Sequence, residues 1–340
     1  MNRILYRLPN TCQAHEITCQ HPLSVSDLTE IGETAGYIFA PFDIQGQHPT
    51  LLFPAETQET WEIPDASTSL HLSYTDNTAE SLKQYSEAFG KSMEYLQQSI
   101  VEKIVLSRTW VLQFSAPLSL AEYRQLFVAA CHGYPHSFVS LIFLSDHSSW
   151  LIATPEVLLE TVPEGFHTMA LAATMSIEEA AGRSPETWSP KDCEEQQIVS
   201  RYIHHQLLSL GLNPTVSALQ TLTAGQVVHL CTHFTMPSQL PVGRIIRTLH
   251  PTPAVCGHPT ATAAKILQEV EPHDRAYYAG FSGPVGLSCG THLYVTLRCM
   301  QILDETATLY AGGGLLPASV CQTEWTETVR KMKTMLHVLR

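Results

Sequence analysis

The residues of this chain that could do chemistry are carboxylates, lysines and one arginine placed where a core would not want them. Near the C-terminus Glu324, Glu327 and Lys331 recur at steps of three and four. At about 100° per residue they share one helix face, which taken alone is a solvated face with an i,i+4 Glu–Lys pair. A second acidic helix start lies at Asp192-Cys193-Glu194-Glu195. Asp192 and Glu195 fall in line with the stripe Val199, Ile203, Leu207 and Leu210, whereas Glu194 points away from it. First-turn carboxylates either cap the helix, for about 0.3–1 kcal/mol each, or bind a cation. Capping suffices for Asp192 and explains Glu195 poorly. Lys103 opens an apolar strand; it is either exposed or held in a pocket, where desolvation would lower its pKa and let it act as a base. Glu156 stands between Pro155 and Val157 and faces solvent or a polar cavity, where burial would suit it to be a general acid. Arg298 lies among apolar residues and must be paired or bind an anion.

These side chains need a scaffold, and the patterning supplies one. Residues 1 to about 75 alternate short apolar runs with turns and read as strands without a chemical signature. Asp76-Asn77-Thr78 could cap a helix to about Ser99, with Leu82, Tyr85, Phe89, Met93 and Leu96 as its packed stripe. Strands are predicted over Lys103–Gln113, Phe138–Leu144, Trp150–Thr161, Thr168–Thr174, Gln226–Thr235 and Leu293–Ile302, with Glu156 and Arg298 inside two of them. Helices are predicted over Ser119–Cys131, from Ser189-Pro190 to Leu210 with a stop at Gly211, over Thr260–Val270, and over Thr323–Leu339. Ser176–Pro190 reads as a loop and Leu249–Gly257 as a rigid, turn-rich segment. Gly280, Gly283 and Gly286 mark a tight turn, and Gly312–Gly314 lead into the last helix. No repeat or convincing linker interrupts the chain. The expectation is one continuous two-lobed α+β domain, with residues 1–95 a divergent part of it and residues 96–340 the catalytic region.

Composition narrows the partners. With 340 residues and 44% hydrophobic content, a sizeable core is available. A net charge of −13 argues against nucleic acid or an anionic membrane, and makes an anionic substrate depend on local cations. No apolar run approaches the roughly 20 residues of a membrane span. The N-terminus, with Arg3 and Arg7 in a mixed segment, reads as mature protein. Nine scattered cysteines without a CxxC pair suggest reduced, buried thiols and a cytoplasmic protein, without a structural zinc site.

Taken in order, several short segments carry a resemblance. They are Lys103-Ile-Val-Leu-Ser-Arg108, Thr154-Pro-Glu156, Lys191-Asp-Cys-Glu-Glu195, Leu249-His-Pro-Thr-Pro-Ala-Val255, Asp274-Arg-Ala-Tyr-Tyr-Ala-Gly280, Arg298, Ala311-Gly-Gly-Gly-Leu315 and Glu324-Trp-Thr-Glu-Thr328. Over residues 100 to 340 the chain resembles the isochorismate synthases, within the chorismate-utilising enzymes that include salicylate synthase and anthranilate synthase component I. The resemblance implies large, mostly antiparallel sheets packed as a sandwich with helices outside. It implies Mg²⁺ held by Glu195 and Glu327, with Asp192 and Glu324 supporting it through waters, and chorismate as the substrate. Thr174, Tyr278, Arg298, Gly312, Gly314 and Lys331 would hold that substrate, with His250 beside its ring. Lys103 would activate water for attack at C2, and Glu156 would protonate the departing C4 hydroxyl. Anthranilate-type relatives carry glutamine at the position of Lys103, and aminodeoxychorismate synthases carry a lysine at that of Ala172. Two departures stand out: the usual Ala-Gly-Thr is Ala172-Ala173-Thr174, and the usual histidine after Glu195 is Gln196. The expected activity is isochorismate synthesis; salicylate synthesis in the same site, or chorismate binding without catalysis, are the alternatives. A monomer or weak homodimer is expected.

Overall fold

Two stretches that pattern alone reads as single strands are each broken in the structure, and the breaks organise the fold. Trp150–Thr161 is two strands, Ser149–Thr154 and Val157–Val162. Pro155 has no N–H to give to a ladder, so the strand cannot continue through it. Leu293–Ile302 is likewise two strands, His292–Val295 and Cys299–Leu303, and Arg298 between them adopts φ +46°, a left-handed conformation foreign to a strand. In both cases the chain leaves one sheet and joins another.

The chain, as a computed structural model, is described over residues 1–65, 72–76, 78–146, 148–225, 227–237 and 239–339. Asn77, expected at a helix cap, and Gln226, expected to open a strand, lie outside them. The remainder forms two ten-stranded sheets in which the paired strands run antiparallel. The first sheet has Lys103–Phe114, Thr306–Leu315, Cys299–Leu303, Ser149–Thr154 and Phe138–Phe143 as consecutive neighbours, then Asn2–Arg7. The second runs through Val227–Met236, Gly165–Ser176, Val157–Val162, His292–Val295 and Phe281–Val285 to Gly36–Ala40. Strands from the first sixty residues thus extend both sheets. The two crossovers are tied side by side: the Ala153 N–H donates to the Arg298 carbonyl at 3.0 Å, and the Val295 N–H donates to that of Glu156 at 2.9 Å.

Apolar side chains from both sheets fill the space between them. Phe39 stacks on Tyr277 at 3.8 Å and Phe138 on Tyr294 at 4.4 Å, with Trp150 fully buried nearby. Helices Leu120–Gly133 and Cys321–Val338 cover the outer face of the first sheet with Leu126, Phe127, Met332, Met335 and Leu336. Helix Pro190–Ser209 lies on Gly165–Ser176 and Val227–Met236 of the second. In helix Thr78–Gln97 the expected stripe is realised at Tyr85 and Leu96, but Leu82 is exposed. The loop expected over Ser176–Pro190 contains a short capped helix, Ile177–Ala180. All nine cysteines are free, and no described helix is long and apolar enough to cross a membrane.

Gly283, on the strand that pairs with Val295 through Phe281, has φ +145°, where an added Cβ would collide with the His292 carbonyl. Gly283→Ala should therefore cost about 1–3 kcal/mol of stability, read from the urea unfolding midpoint; an unchanged midpoint would contradict the strand pairing described.

Candidate active site

At the seam between the sheets a cavity opens, and Glu156 and Arg298 reach it from the two crossovers. Leu171, Ala172, Ala173 and Thr174 of one long strand line it, with His229 of the neighbouring strand. The first sheet contributes Val105, Ala311, Gly312 and Gly314. Tyr278, Glu195 and Lys331 complete the polar lining. As the side chains stand, the free space is about 60 Å³, room for a few water molecules.

One side of the cavity is built for an anion. Arg298 is buried, and its Nη2 donates to His229 Nε2 at 3.0 Å. On its other edge His229 Nδ1 is 2.9 Å from the Ala173 carbonyl, which can only accept. A guanidinium can only donate, so the ring must be neutral with its proton on Nδ1. Burial, with Arg298 and Lys331 close by, holds the His229 pKa well below its usual value. A neutral partner orients Arg298 without cancelling its charge. Lys331 adds a second cation, donating to the Gly312 carbonyl at 2.8 Å and pairing with Glu327 at 2.6 Å. Tyr278 stacks on Tyr310, and the missing side chain of Gly312 makes room for its hydroxyl: a Cβ there would lie 2.9 Å from that oxygen.

The other polar groups are an acid and a base. Glu156 is 5% exposed, and burial pushes its pKa from 4.5 up to about 7, although Lys103, Lys331 and Arg298 pull it down. A carboxyl so placed exchanges its proton near neutrality. Lys103 is fully buried, and its Nζ lies 3.1 Å from Glu195 Oε1. That contact lacks hydrogen-bond alignment, so it is a charge pairing that leaves the ammonium donors free. Gly314 permits the approach, because a Cβ there would collide with the Glu195 carboxylate and stand 2.9 Å from Lys103 Cε. The strand-edge exposure that is the default for Lys103, and the solvent-facing default for Glu156, do not hold.

The start of helix Pro190–Ser209 meets the start of helix Cys321–Val338, and their carboxylates gather there. Glu195 and Glu324 are buried, while Glu194 is exposed. The helix face of Glu324, Glu327 and Lys331 is therefore an inner wall, not the solvated one its spacing suggests. Glu324 Oε2 and Glu327 Oε1 lie 3.3 and 3.9 Å from the point where a Gly313 Cβ would be. Burial and the Glu327 charge raise the Glu324 pKa; burial likewise raises that of Glu327, but Lys331, Lys191 and the Thr174 hydroxyl together outweigh it and the net shift is downward. Asp192, raised by burial and held by Ser189 Oγ–H at 2.6 Å, closes the cap of its helix and senses both Glu195 and Glu327. Among the described residues no three His, Cys, Asp or Glu side chains converge as a ready metal-binding group. Each of these carboxylates instead faces a lysine: Lys103 on Glu195, Lys191 on Glu324 and Lys331 on Glu327. The donor set nonetheless fits a hard divalent cation. It is oxygen-rich, and Glu324 Oε2 is buried without a partner.

Of the residues expected in the site, Glu156, Thr174, Glu195, Tyr278, Arg298, Gly312, Gly314 and Lys331 line the cavity. Lys103, Glu327, Glu324 and Asp192 stand around it through the contacts above. His250 does not line it. Its ring packs edge-on to Phe281 with Nε2 3.2 Å from the Phe42 carbonyl, and burial lowers its pKa to about 4. The histidine of the cavity is His229, which went unnoticed; its only signal was the alternation His229, Cys231, His233 along an apolar strand. Ala173 stands where the sequence resemblance implies a glycine. It is the extra residue of a bulge between Ala172 and Thr174, at φ +58°, a conformation that costs an alanine about 1–2 kcal/mol. Its methyl packs on Trp188, Val228 and Leu230. Gln196 turns to the Thr232 hydroxyl at 2.8 Å.

The raised Glu156 pKa has a consequence for stability. The folded protein binds this proton more tightly than the unfolded chain, so the contribution is full below pH 4.5 and is lost as pH rises through 7. Glu156→Gln should match the wild type at pH 4.5 and exceed it by up to about 3 kcal/mol at pH 8. Urea unfolding at the two pH values measures this; a pH-independent difference would mean that Glu156 is ionised in the fold.

Comparison with known proteins gives the family and the fold. The sequence model of the family described as chorismate binding enzyme matches residues 51–340. Isochorismate synthase EntC of Escherichia coli K12 is 31% identical over 247 residues, which is 70% of this chain and 62% of that protein's length. A Mycobacterium tuberculosis H37Rv protein named as isochorismate synthase MenF is 32% identical over 260 residues, 70% of this chain and 68% of its own. Among solved structures, a Bacillus anthracis protein described as the isochorismate synthase DhbC superposes with a TM-score of 0.84 at 22% identity, covering 99% of this chain and 95% of that one. Anthranilate synthase component I of Streptococcus pneumoniae TIGR4 shares the fold at a TM-score of 0.70 and 16% identity, over 94% and 83% of the two chains. With most of its length matched by the family's model, the chain belongs to the chorismate-binding enzymes.

Proposed function

We propose that this protein is an isochorismate synthase, interconverting chorismate and isochorismate with Mg²⁺. The observation that carries the reading is the meeting of Glu156 and Arg298 in one cavity, with Lys103 paired to Glu195 at its wall. The names of the relatives support it. Arg298, oriented by a neutral His229, keeps a full charge and a planar fork for a substrate carboxylate. Thr174, Tyr278, Lys331 and the backbone at Gly312 and Gly314 fix the rest of the ring. Lys103, after its ammonium has released one proton to solvent, is a neutral amine that takes a proton from water as the water oxygen bonds to C2. The ring double bonds shift, the C4–O bond breaks, and Glu156 delivers its proton so that water leaves. In the reverse direction the two residues exchange roles. Mg²⁺, when bound, would neutralise the acidic cluster and polarise substrate oxygens; Glu195 and Glu327 would hold it, with Asp192 and Glu324 supporting through water.

Incubation with chorismate and Mg²⁺, followed by chromatography, should yield isochorismate. Salicylate with pyruvate would instead identify a salicylate synthase, and no product would leave a chorismate-binding protein. Lys103→Gln and Glu156→Gln should each lower kcat by about 10²–10⁴-fold. Arg298→Lys should raise KM at least about tenfold. Glu195→Gln should abolish turnover, while Glu194→Gln leaves it intact; equal effects of the last two would count against the assigned helix face.

A further inference from the structure

Lys191 occupies a place that helix formation does not favour. It is the second residue of helix Pro190–Ser209, after the Ser189 cap, where the helix dipole opposes a cation. Its Nζ donates to Glu324 Oε1 at 2.6 Å, an oxygen that also accepts from Ser319 Oγ at 2.8 Å. Glu324 is 1% exposed, and its second oxygen, Oε2, is buried with no partner at all. Lys191 is thus the counter-charge of a carboxylate that is only half satisfied. It differs from the other two lysines of the cluster. Lys103 is sealed in the core and Lys331 lines the cavity, whereas the Lys191 side chain is 26% exposed and outside the cavity lining. It alone of the three can swing into water without opening the substrate cavity.

We infer that Lys191 is a built-in competitor for the divalent cation, holding Glu324 until the ion arrives and setting the ion concentration at which the site fills. The inference rests on the reading of Glu195, Glu327 and Glu324 as a cation site. A unit positive charge within a few ångströms of that site opposes a divalent ion strongly, even at the effective dielectric of a protein surface. Removing the charge raises cation affinity. It leaves the carboxylates in place, because Ser319 still donates to Glu324.

Mn²⁺ binding to the substrate-free, full-length protein, followed by electron paramagnetic resonance of the free ion, tests this without reference to turnover. Lys191→Met should bind Mn²⁺ at least about tenfold more tightly than the wild type. The gap should narrow as potassium chloride is raised, because exposed charge is screened. Lys265→Met, at an exposed position of helix Thr260–Val270, should change nothing. If Lys191→Met proves poorly folded by its thermal melt, Lys191→Gln provides the same comparison. Equal or weaker Mn²⁺ binding by the charge-removed variant, while the wild type binds the ion and Glu327→Gln does not, would overturn the role of Lys191 and spare the cation site. Mn²⁺ bound equally well by wild type and Glu327→Gln, or by neither, would remove the cation site itself and the competitor with it.

Discussion

Everything in the candidate site depends on the double crossover between the two sheets. A strand that must leave one sheet for another breaks its ladder, and its polar groups need partners at once. Here two such breaks solve the problem for each other, Ala153 bonding to Arg298 and Val295 to Glu156 through the backbone. The residues at the breaks are released from strand alternation, so their side chains can turn into the space where the sheets part. Glu156 and Arg298 are those residues. The acid and the anion-binding guanidinium are therefore set by the same backbone device that joins the layers, and neither can shift without disturbing both sheets.

Around that seam the protein concentrates charge that would be costly if unpaired. The arrangement is one of graded pairing. Arg298 is held by a neutral imidazole and stays free to meet a carboxylate. Among the described residues no basic group hydrogen-bonds to Glu156, and burial raises its pKa to about 7. Glu195, Glu324 and Glu327 each face a lysine, and two helix N-termini lend positive potential to the cluster. Glycines 312 to 314 matter because they have no side chains. At Gly314 a methyl group would occupy the place of the Glu195 carboxylate, and at Gly312 it would press on the Tyr278 hydroxyl.

At Ala173, where the sequence resemblance implies a glycine, the structure shows what a side chain entails. A bulge in the strand puts this residue at positive φ, and its carbonyl is the acceptor that fixes the His229 tautomer. The strain of an alanine there lies directly beneath the contact that orients Arg298. The extra methyl packs toward Trp188 and Val228, which offsets part of the strain by burying apolar surface.

Much of this was legible in the sequence. Helix phase alone separated Glu195, which is buried, from Glu194, which is exposed, because a helix position determines its own direction. Order and spacing of short motifs carried the family, and with it the antiparallel two-sheet architecture. What the sequence could not decide was where strands end when alternation persists through the break. Apolar residues continue across Pro155-Glu156 and across Leu297-Arg298, since both sheets bury them, so periodicity reports one strand where there are two. The burial of Lys103, Glu156 and Glu324 was undecidable for the same kind of reason: a charged residue is placed by partners more than fifty residues away, not by its neighbours. His229 was missed and His250 favoured because the rigid proline-rich segment around His250 looked special locally. Only the packing of sheet against sheet determined which histidine faces the cavity and which one faces the Phe42 carbonyl.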